Sequence, residues 1–479
     1  MEMFRPADSF SLEPRNFSRL SKPCSGQPDR GLPCCLPSSS PAPPSRQPAT
    51  SGFFDTKLCS IYRLSELYDM ASALAEQESA HSDASPELQP RCIASTGTSF
   101  NGQVDTVSSE AETTRKCKNN FFKEAQFSCD GTAVVTHNDD GGLRTFVLPQ
   151  DLLDESKHPH KLAPYSILPS PTNVQSYALY SGFSLQDMST TLVLSAPADQ
   201  PLRLTNALDS TFTHAKYPYI HTKTEAYIAP NSLTFHPDGS HFVAGARGSV
   251  AIFDTSRANE GPIAMHITKP KDPKRAVTSM RDSGLIMALS ISTDGFLAVG
   301  SSNRSVGIFS SSGHGGCQTA FSVAPGLNDS GAPTYSGSGV TSLTWTPDGN
   351  YLLVGERQSD GIHVYDVRNQ LRRVAWLAGR DAFTTQRLGI STVPTLSGLE
   401  VWAGGMDGAL RMWQNPGKAE GTQEPDAVLS GMHGDAVASA VWHPGGVVMA
   451  TCSGQRKFCG ADEDEMSTPP DSSLKIWSL

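Results

Sequence analysis

The stretch SLTFHPDGSHFVAGARGSVAIFD, Ser232 to Asp254, decides the fold. Leu233 and Phe235 alternate with Thr234, and His236-Pro237-Asp238-Gly239 then supplies a turn, since proline fixes φ at one position and glycine tolerates positive φ at another. Phe242 and Ala244 resume the alternation, Gly245 to Ser249 turns again, and Val250, Ile252 and Phe253 make a third strand. Arg247 stands in that second turn, where a simple hairpin takes Gly, Asn or Asp. Such a unit cannot bury its hydrophobic faces alone, so it calls for neighbours built the same way.

The neighbours are present. The turn between the first two strands recurs at Gly131 (FSCDGTAVV), Gly239, Gly295 (SISTDGFLAVG), Gly349 (LTWTPDGNYLLVG), Gly398 (PTLSGLEVWAGG) and Gly446 (VWHPGGVVMATCSG), with a degenerate copy near Asp187. The successive intervals are 56, 52, 56, 54, 49 and 48 residues. Seven units of near-constant period, each made of short strands, predict an all-β chain forming a seven-bladed β-propeller over 121–479. A kelch propeller would repeat a diglycine, which this chain does not do. WHPGG, LRMWQ and LKIWSL look instead like WD-repeat strands, with Phe253-Asp254 and Tyr365-Asp366 where Trp-Asp would stand.

LKIWSL, Leu474 to Leu479, reads as the third strand of the last blade, so the fourth must come from upstream of Phe121 and close the ring. RCIASTGTSF (Arg91 to Phe100) is the first choice and KLCSIYRL (Lys57 to Leu64) the second. The first fifty residues carry ten prolines and nine serines without apolar period, so 1–52 reads as a disordered extension. Residues 53–120 read as a linker holding the closing strand and one stretch of helical spacing, Ser65 to Ser79.

Composition narrows the function. With 38 Lys+Arg against 48 Asp+Glu the net charge is −10, so any anion site has to be a local patch. No apolar h-region opens the chain and no eighteen apolar residues run together, so neither signal peptide nor membrane span is expected. Ten scattered cysteines without a C-x-x-C pair fit reduced thiols better than a disulfide frame or a zinc site. There is no G-x-S-x-G, P-loop, H-E-x-x-H or helix-opening G-x-G-x-x-G, so the chain reads as a non-enzyme with no cofactor, catalytic residue or small-molecule substrate. The nearest approach to a metal cluster is His158-Pro159-His160, read as solvated loop, and no metal site is expected.

Propeller topology puts the second-to-third-strand loops and the blade-to-blade loops on one face. The first set carries Arg247, Arg304, Arg357, and Arg456 with Lys457; the second adds Arg281, Arg380 and Arg387. Blades one, two and six place Asp139 with Asp140, Asp199 and Asp407 there instead, so the basic sector is lopsided. Arginine's planar fork suits phosphate and stacks on bases, which makes the sector a candidate RNA-binding site; the plain alternative is arginines that are solvated or bridge to carboxylates of neighbouring blades. HAKYPYIHTKTEAY, before blade three, interleaves Lys216 with Tyr217 and Tyr219, a pattern that could stack bases or wedge between blades. KPKDPKR, Lys269 to Arg275, is a second basic run in a connector.

DVRNQLRRVAWLAGRDAFTTQRLGIS, then MATCSGQRKF leading into the acidic ADEDEMSTPP, and the final LKIWSL resemble the telomerase Cajal body protein family of WD-repeat proteins, including fungal splicing-linked relatives. The resemblance runs from about Phe121 to Leu479, and its most specific elements are the pairs Gln386-Arg387 and Gln455-Arg456. It implies a non-catalytic nuclear scaffold, with a Cajal-body-like address and a cytoplasmic pool. The implied partners are small structured RNA, H/ACA-type or spliceosomal, and proteins of its ribonucleoprotein. A protein-only adaptor propeller is the competing class of function.

Overall fold

A computed structural model of the chain describes residues 89–100, 120–154, 158–268, 280, 282–323, 326–327, 333–335, 337–456 and 471–479. The expected disordered extension, the stretches Lys57 to Leu64 and Ser65 to Ser79, the KPKDPKR run, Arg281, Lys457 and the acidic segment to Pro470 lie outside the described residues.

Seven sheets, each built on four antiparallel strands, follow one another along the chain, and two of them gain a fifth, parallel strand at the outer edge. Their strands run from Phe122 to Leu168 in blade 1, Val174 to Tyr217 in blade 2, Ser232 to Ile267 in blade 3, Ile286 to Ser322 in blade 4, Val340 to Leu377 in blade 5, Ile390 to Leu429 in blade 6 and Val437 to Ser478 in blade 7. Blade 3 is the quoted stretch: Ser232–Phe235, His241–Ala246 and Ser249–Asp254, with Ala264–Ile267 as its outer strand. The repeated turn glycines share one backbone state, φ +71 at Gly131 and Gly239, +76 at Gly295, and +68 at Gly349 and Gly446. That left-handed conformation is why glycine marks the period.

The core is seven cores, one at each junction between adjacent blades, the last joining blade 7 to blade 1. Strand alternation accounts for this. On His241–Ala246, Phe242, Ala244 and Ala246 pack toward blade 2, while Val243 packs toward blade 4. Each blade is therefore apolar on both faces and depends on both neighbours.

The ring closes with Arg91–Ser95, which pairs antiparallel with the last strand, Arg91 opposite Ser478. Ile93 and Ala94 are buried in the junction with blade 1, and burying the Ile93 side chain alone contributes roughly 1.5–3 kcal/mol. Of the two segments proposed from sequence, the first is the closing strand. His160–Lys161 adds a short parallel strand outside it, which puts His160 in a sheet rather than in a solvated loop. Among the described residues no helix is long and apolar enough to cross a membrane.

Candidate functional site

The two loop sets named from sequence do meet on one face, zipped together by backbone hydrogen bonds: Gly248 N to Gly284 O at 2.9 Å, Arg357 N to Gly339 O at 2.9 Å and Arg380 N to Asp360 O at 2.7 Å. The first strands of all seven blades surround a central channel with a cavity of about 380 Å³. A second cavity, of about 420 Å³, forms its mouth on the arginine face.

The named arginines have three different fates. Arg247 and Gly248 form a two-residue hairpin turn, with Ala246 opposite Ser249 and Gly248 taking the positive φ of +65. Its backbone bridges to Leu285 of blade 4 and its side chain is exposed, with no partner among the described residues. Arg304 is committed to the fold. It sits at φ +62, and its guanidinium forms a two-point bond with Glu356 of blade 5, Nε to Oε1 at 2.7 Å and Nη2 to Oε2 at 2.9 Å. Burial pushes the Glu356 carboxyl up, but His363 and Arg304 together hold it below its ordinary range. Arg380 is more committed still, 1% exposed and donating to the carbonyls of Gly404 and Gly389. Desolvation lowers it to about 10. Arg380 is thus withdrawn from the surface set: it is a buried strut between blades 5 and 6.

Arg357 and Arg387 face each other's field near the mouth. Arg387 is half-buried and donates to the carbonyl of Asn231, reaching from the blade 5–6 connector to blade 3. Desolvation lowers it, Glu124 opposes that, and Arg357 lowers it further. The Arg357 Nε is buried without a hydrogen-bond partner. Arg456 is exposed and pairs with Asp139 of blade 1 at 2.7 Å, a carboxylate shared with Lys123 at 3.2 Å.

The two Gln-Arg pairs come together here. Gln386 donates to the carbonyl of Gly454 at 2.9 Å and Gln455 to Asp435 at 2.6 Å. Each glutamine pins its loop, and the arginine beside it is presented at the mouth. The acidic loop residues mostly serve local pairs: Asp140 with Arg144 at 3.0 Å, Asp407 with Arg411 at 2.9 Å. Asp199 holds a turn at φ +57.

Tyr217 and Tyr219 are corrections. They are 0% and 1% exposed, their rings against Phe242 and Phe253 in the blade 2–3 core. Their hydroxyls bond Thr255 O at 2.7 Å and Ser249 Oγ at 2.8 Å. No ring face is open to a base. Lys216, just before Tyr217 in sequence, is exposed on the outermost strand of blade 2, away from the mouth.

Sequence reasoning missed His137 and Lys123. Both line the mouth. His137 is buried with Nε2 unpaired, and desolvation, then Lys123 and Arg387, lower it to about 3, so it is neutral. Blade 7 also carries a buried relay: Trp477 Nε1 donates to Thr451 Oγ1 at 2.7 Å, His433 bonds the same oxygen at 2.7 Å, and its other nitrogen meets Ser473 Oγ at 3.1 Å. Burial pushes the Asp471 carboxyl up, yet hydrogen bonds from His433, Ser473 and the Gly434 N–H hold it well below the usual carboxylate range.

The WD domain, G-beta repeat family matches residues 220–254 and 332–366, parts of blades 3 and 5. Guanine nucleotide-binding protein negative regulator 1 of Schizosaccharomyces pombe is 30% identical over 306 residues, covering 63% of this chain and 73% of that protein. Telomerase Cajal body protein 1 of Bos taurus is 27% identical over 372 residues, covering 75% of this chain and 62% of its own length. The Homo sapiens protein of that name is 27% identical over 364 residues, covering 73% and 61%. The chain belongs to the telomerase Cajal body protein family of WD-repeat proteins. It spans less than two thirds of those two Cajal body proteins. As a family member it is a non-catalytic WD-repeat scaffold, and the mouth is a concavity lined by Arg387 and Arg456.

Proposed function

We propose that this chain is a nuclear ribonucleoprotein scaffold that holds the backbone of a small RNA at the channel mouth, through Arg247, Arg357 and Arg387, with Arg456 at the rim and Lys457, its neighbour in sequence, adding charge. One observation carries the reading. Arg357 and Arg387 lie close enough to oppose each other's charge, and neither forms an ion pair with a described carboxylate. Two guanidinium groups at the mouth, with Glu124 acting on Arg387 through its field and not through an ion pair, favour an anion, and their planar forks favour phosphate. The relatives named for the Cajal body support the nuclear address and an RNA-related complex. Stacking on Tyr217 and Tyr219 has no part in it. Arg304 and Arg380 act on the fold alone.

The test is purification of the tagged chain from its own cells, with and without nuclease, followed by sequencing of the bound RNA. Recovery of one class of small structured RNA, lost from R357Q/R387Q, supports the reading, and the class recovered separates a telomerase-type cargo from a spliceosomal one. The S. pombe relative is named for a G-protein context, which favours a protein partner as the second reading. Partners retained in full after nuclease, with no RNA enriched, would establish that adaptor reading instead.

A further inference from the structure

The opposite face, where the first-to-second-strand turns lie, carries a separate cluster. The blade 3 turn His236-Pro237-Asp238-Gly239-Ser240-His241 brings one ligand atom from each of His236, Asp238 and His241 within 4.8 Å of one another. The His236 and His241 rings stack at 4.4 Å, and the ring of His314, from blade 4, stands edge-on to His241 at 4.5 Å. We propose that His236, His241 and His314, the first two oriented by Asp238, bind one divalent transition-metal ion of the zinc type across the junction of blades 3 and 4.

The hydrogen bonds decide which nitrogens are free. Ser240 Oγ lies 2.7 Å from Asp238 Oδ1, which only accepts, so the single hydroxyl hydrogen points there. The 2.9 Å contact between Ser240 Oγ and His241 Nδ1 is then one in which the imidazole donates. That puts the ring hydrogen on Nδ1 and leaves Nε2 as a lone pair, and this Nε2 is buried with no hydrogen-bond partner. His236 repeats the arrangement: its Nδ1 lies 2.6 Å from Asp238 Oδ1 and donates to it, a closer contact than the 3.4 Å approach of the Asp238 N–H to the same nitrogen. One carboxylate thereby sets the tautomer of both imidazoles, directly and through Ser240. Metal-bound histidines are oriented in this way, the non-ligating nitrogen tied to a carboxylate or hydroxyl.

His314 completes the set. It follows the turn Ser311–Gly313 and is exposed, and its imidazole has no hydrogen-bond partner among the described residues. Zinc–nitrogen bonds of about 2.0–2.1 Å put tetrahedral ligands about 3.3 Å apart. The Asp238 side chain is 57% exposed and that of His236 24% exposed, which leaves them room to close the present spread. Water takes the fourth position, because the Asp238 carboxylate is engaged on the Nδ1 side of His236. No cysteine is involved, and the pattern H-x-D-x-x-H plus one distant histidine is not a sequence motif, which is why the site is invisible without the fold.

Full-length protein stripped with chelator and titrated with zinc against a chromophoric competitor tests this. The expected result is one zinc per chain at micromolar affinity or tighter. H241Q and H314Q should each weaken it by about tenfold or more, D238N by about tenfold, and H158Q/H160Q not at all. Cobalt(II) should give the visible absorption of a tetrahedral site in the wild type and lose it in H241Q. Melting in chelator should match across all variants, and zinc should raise it in the wild type only. Wild-type affinity no better than millimolar, or equal zinc uptake by the H236Q/H241Q/H314Q variant, would overturn the proposal.

Discussion

Blades 4 and 5 and the channel mouth both place arginine at equivalent loop positions of one face, yet the two sectors do different things. Between blades 4 and 5, Arg304 meets Glu356, and His363 closes the group from behind at 3.3 Å. At the mouth, Arg357 and Arg387 act on each other, Arg387 donates to a carbonyl, and the one carboxylate that acts on it, Glu124, does so through its field alone. A loop arginine is committed to the fold when its surroundings supply buried acceptors, a carboxylate for Arg304 or two carbonyls for Arg380, and is offered outward when they do not. Charge at a loop position is therefore set by the neighbouring blade, not by the loop.

Four substitutions sharpen that division. The largest effect belongs to a residue that looked offered and is committed: Tyr217→Ala should cost about 3–5 kcal/mol of stability, as removal of a buried aromatic does, measured by denaturant unfolding. Unchanged stability would mean that the ring is free after all. Next, Glu356→Gln removes the partner of Arg304 and His363. Breaking a buried pair costs about 3–5 kcal/mol, and the partial exposure of Arg304 brings the expectation to about 2–3.

A third prediction concerns pH. His137 is held at about 3 in the folded chain, against about 6.5 when unfolded. The unfolded state therefore binds more protons between those values, and stability falls as pH falls through that window, by up to about 1.4 kcal/mol per pH unit from this group. His137→Gln should flatten the stability–pH slope between pH 6 and pH 4 by roughly one proton's worth. An unaltered slope would show that His137 is solvated. The smallest effect is Arg247→Gln, within about 0.5 kcal/mol of stability and lowering the salt slope of single-stranded RNA binding by roughly 0.7.

The fold was legible because its marks are local. Pro-Asp-Gly turns, two-residue alternation and the Trp-bearing last strand each follow from a few adjacent residues, and the missing fourth strand pointed by topology to a segment upstream of Phe121, of which Arg91 to Phe100 was the first of two choices. The committed arginines were not legible, because Glu356 lies in another blade from Arg304 and nothing in GERQS announces a buried acid. Tyr217 and Tyr219 were legible in principle. HAKYPYI alternates, with Ala215, Tyr217 and Tyr219 buried and Lys216 exposed, and that period marks a strand against a core rather than a stacking platform. The acidic insert shows the same limit. The acidic ADEDEMSTPP runs straight into Asp471 and Ser472, which are buried in blade 7, and no local pattern marks that change.

The central claim is the division of the arginines, and the most direct measurement is RNA binding across a salt series for R247Q/R357Q/R387Q beside R304Q, with the RNA that co-purifies as probe and thermal melting as control. The triple variant should lose affinity and have its log–log salt slope reduced by roughly 2, while R304Q loses stability and keeps its slope. Equal slopes in the wild type and the triple variant, with both folded, would contradict the account.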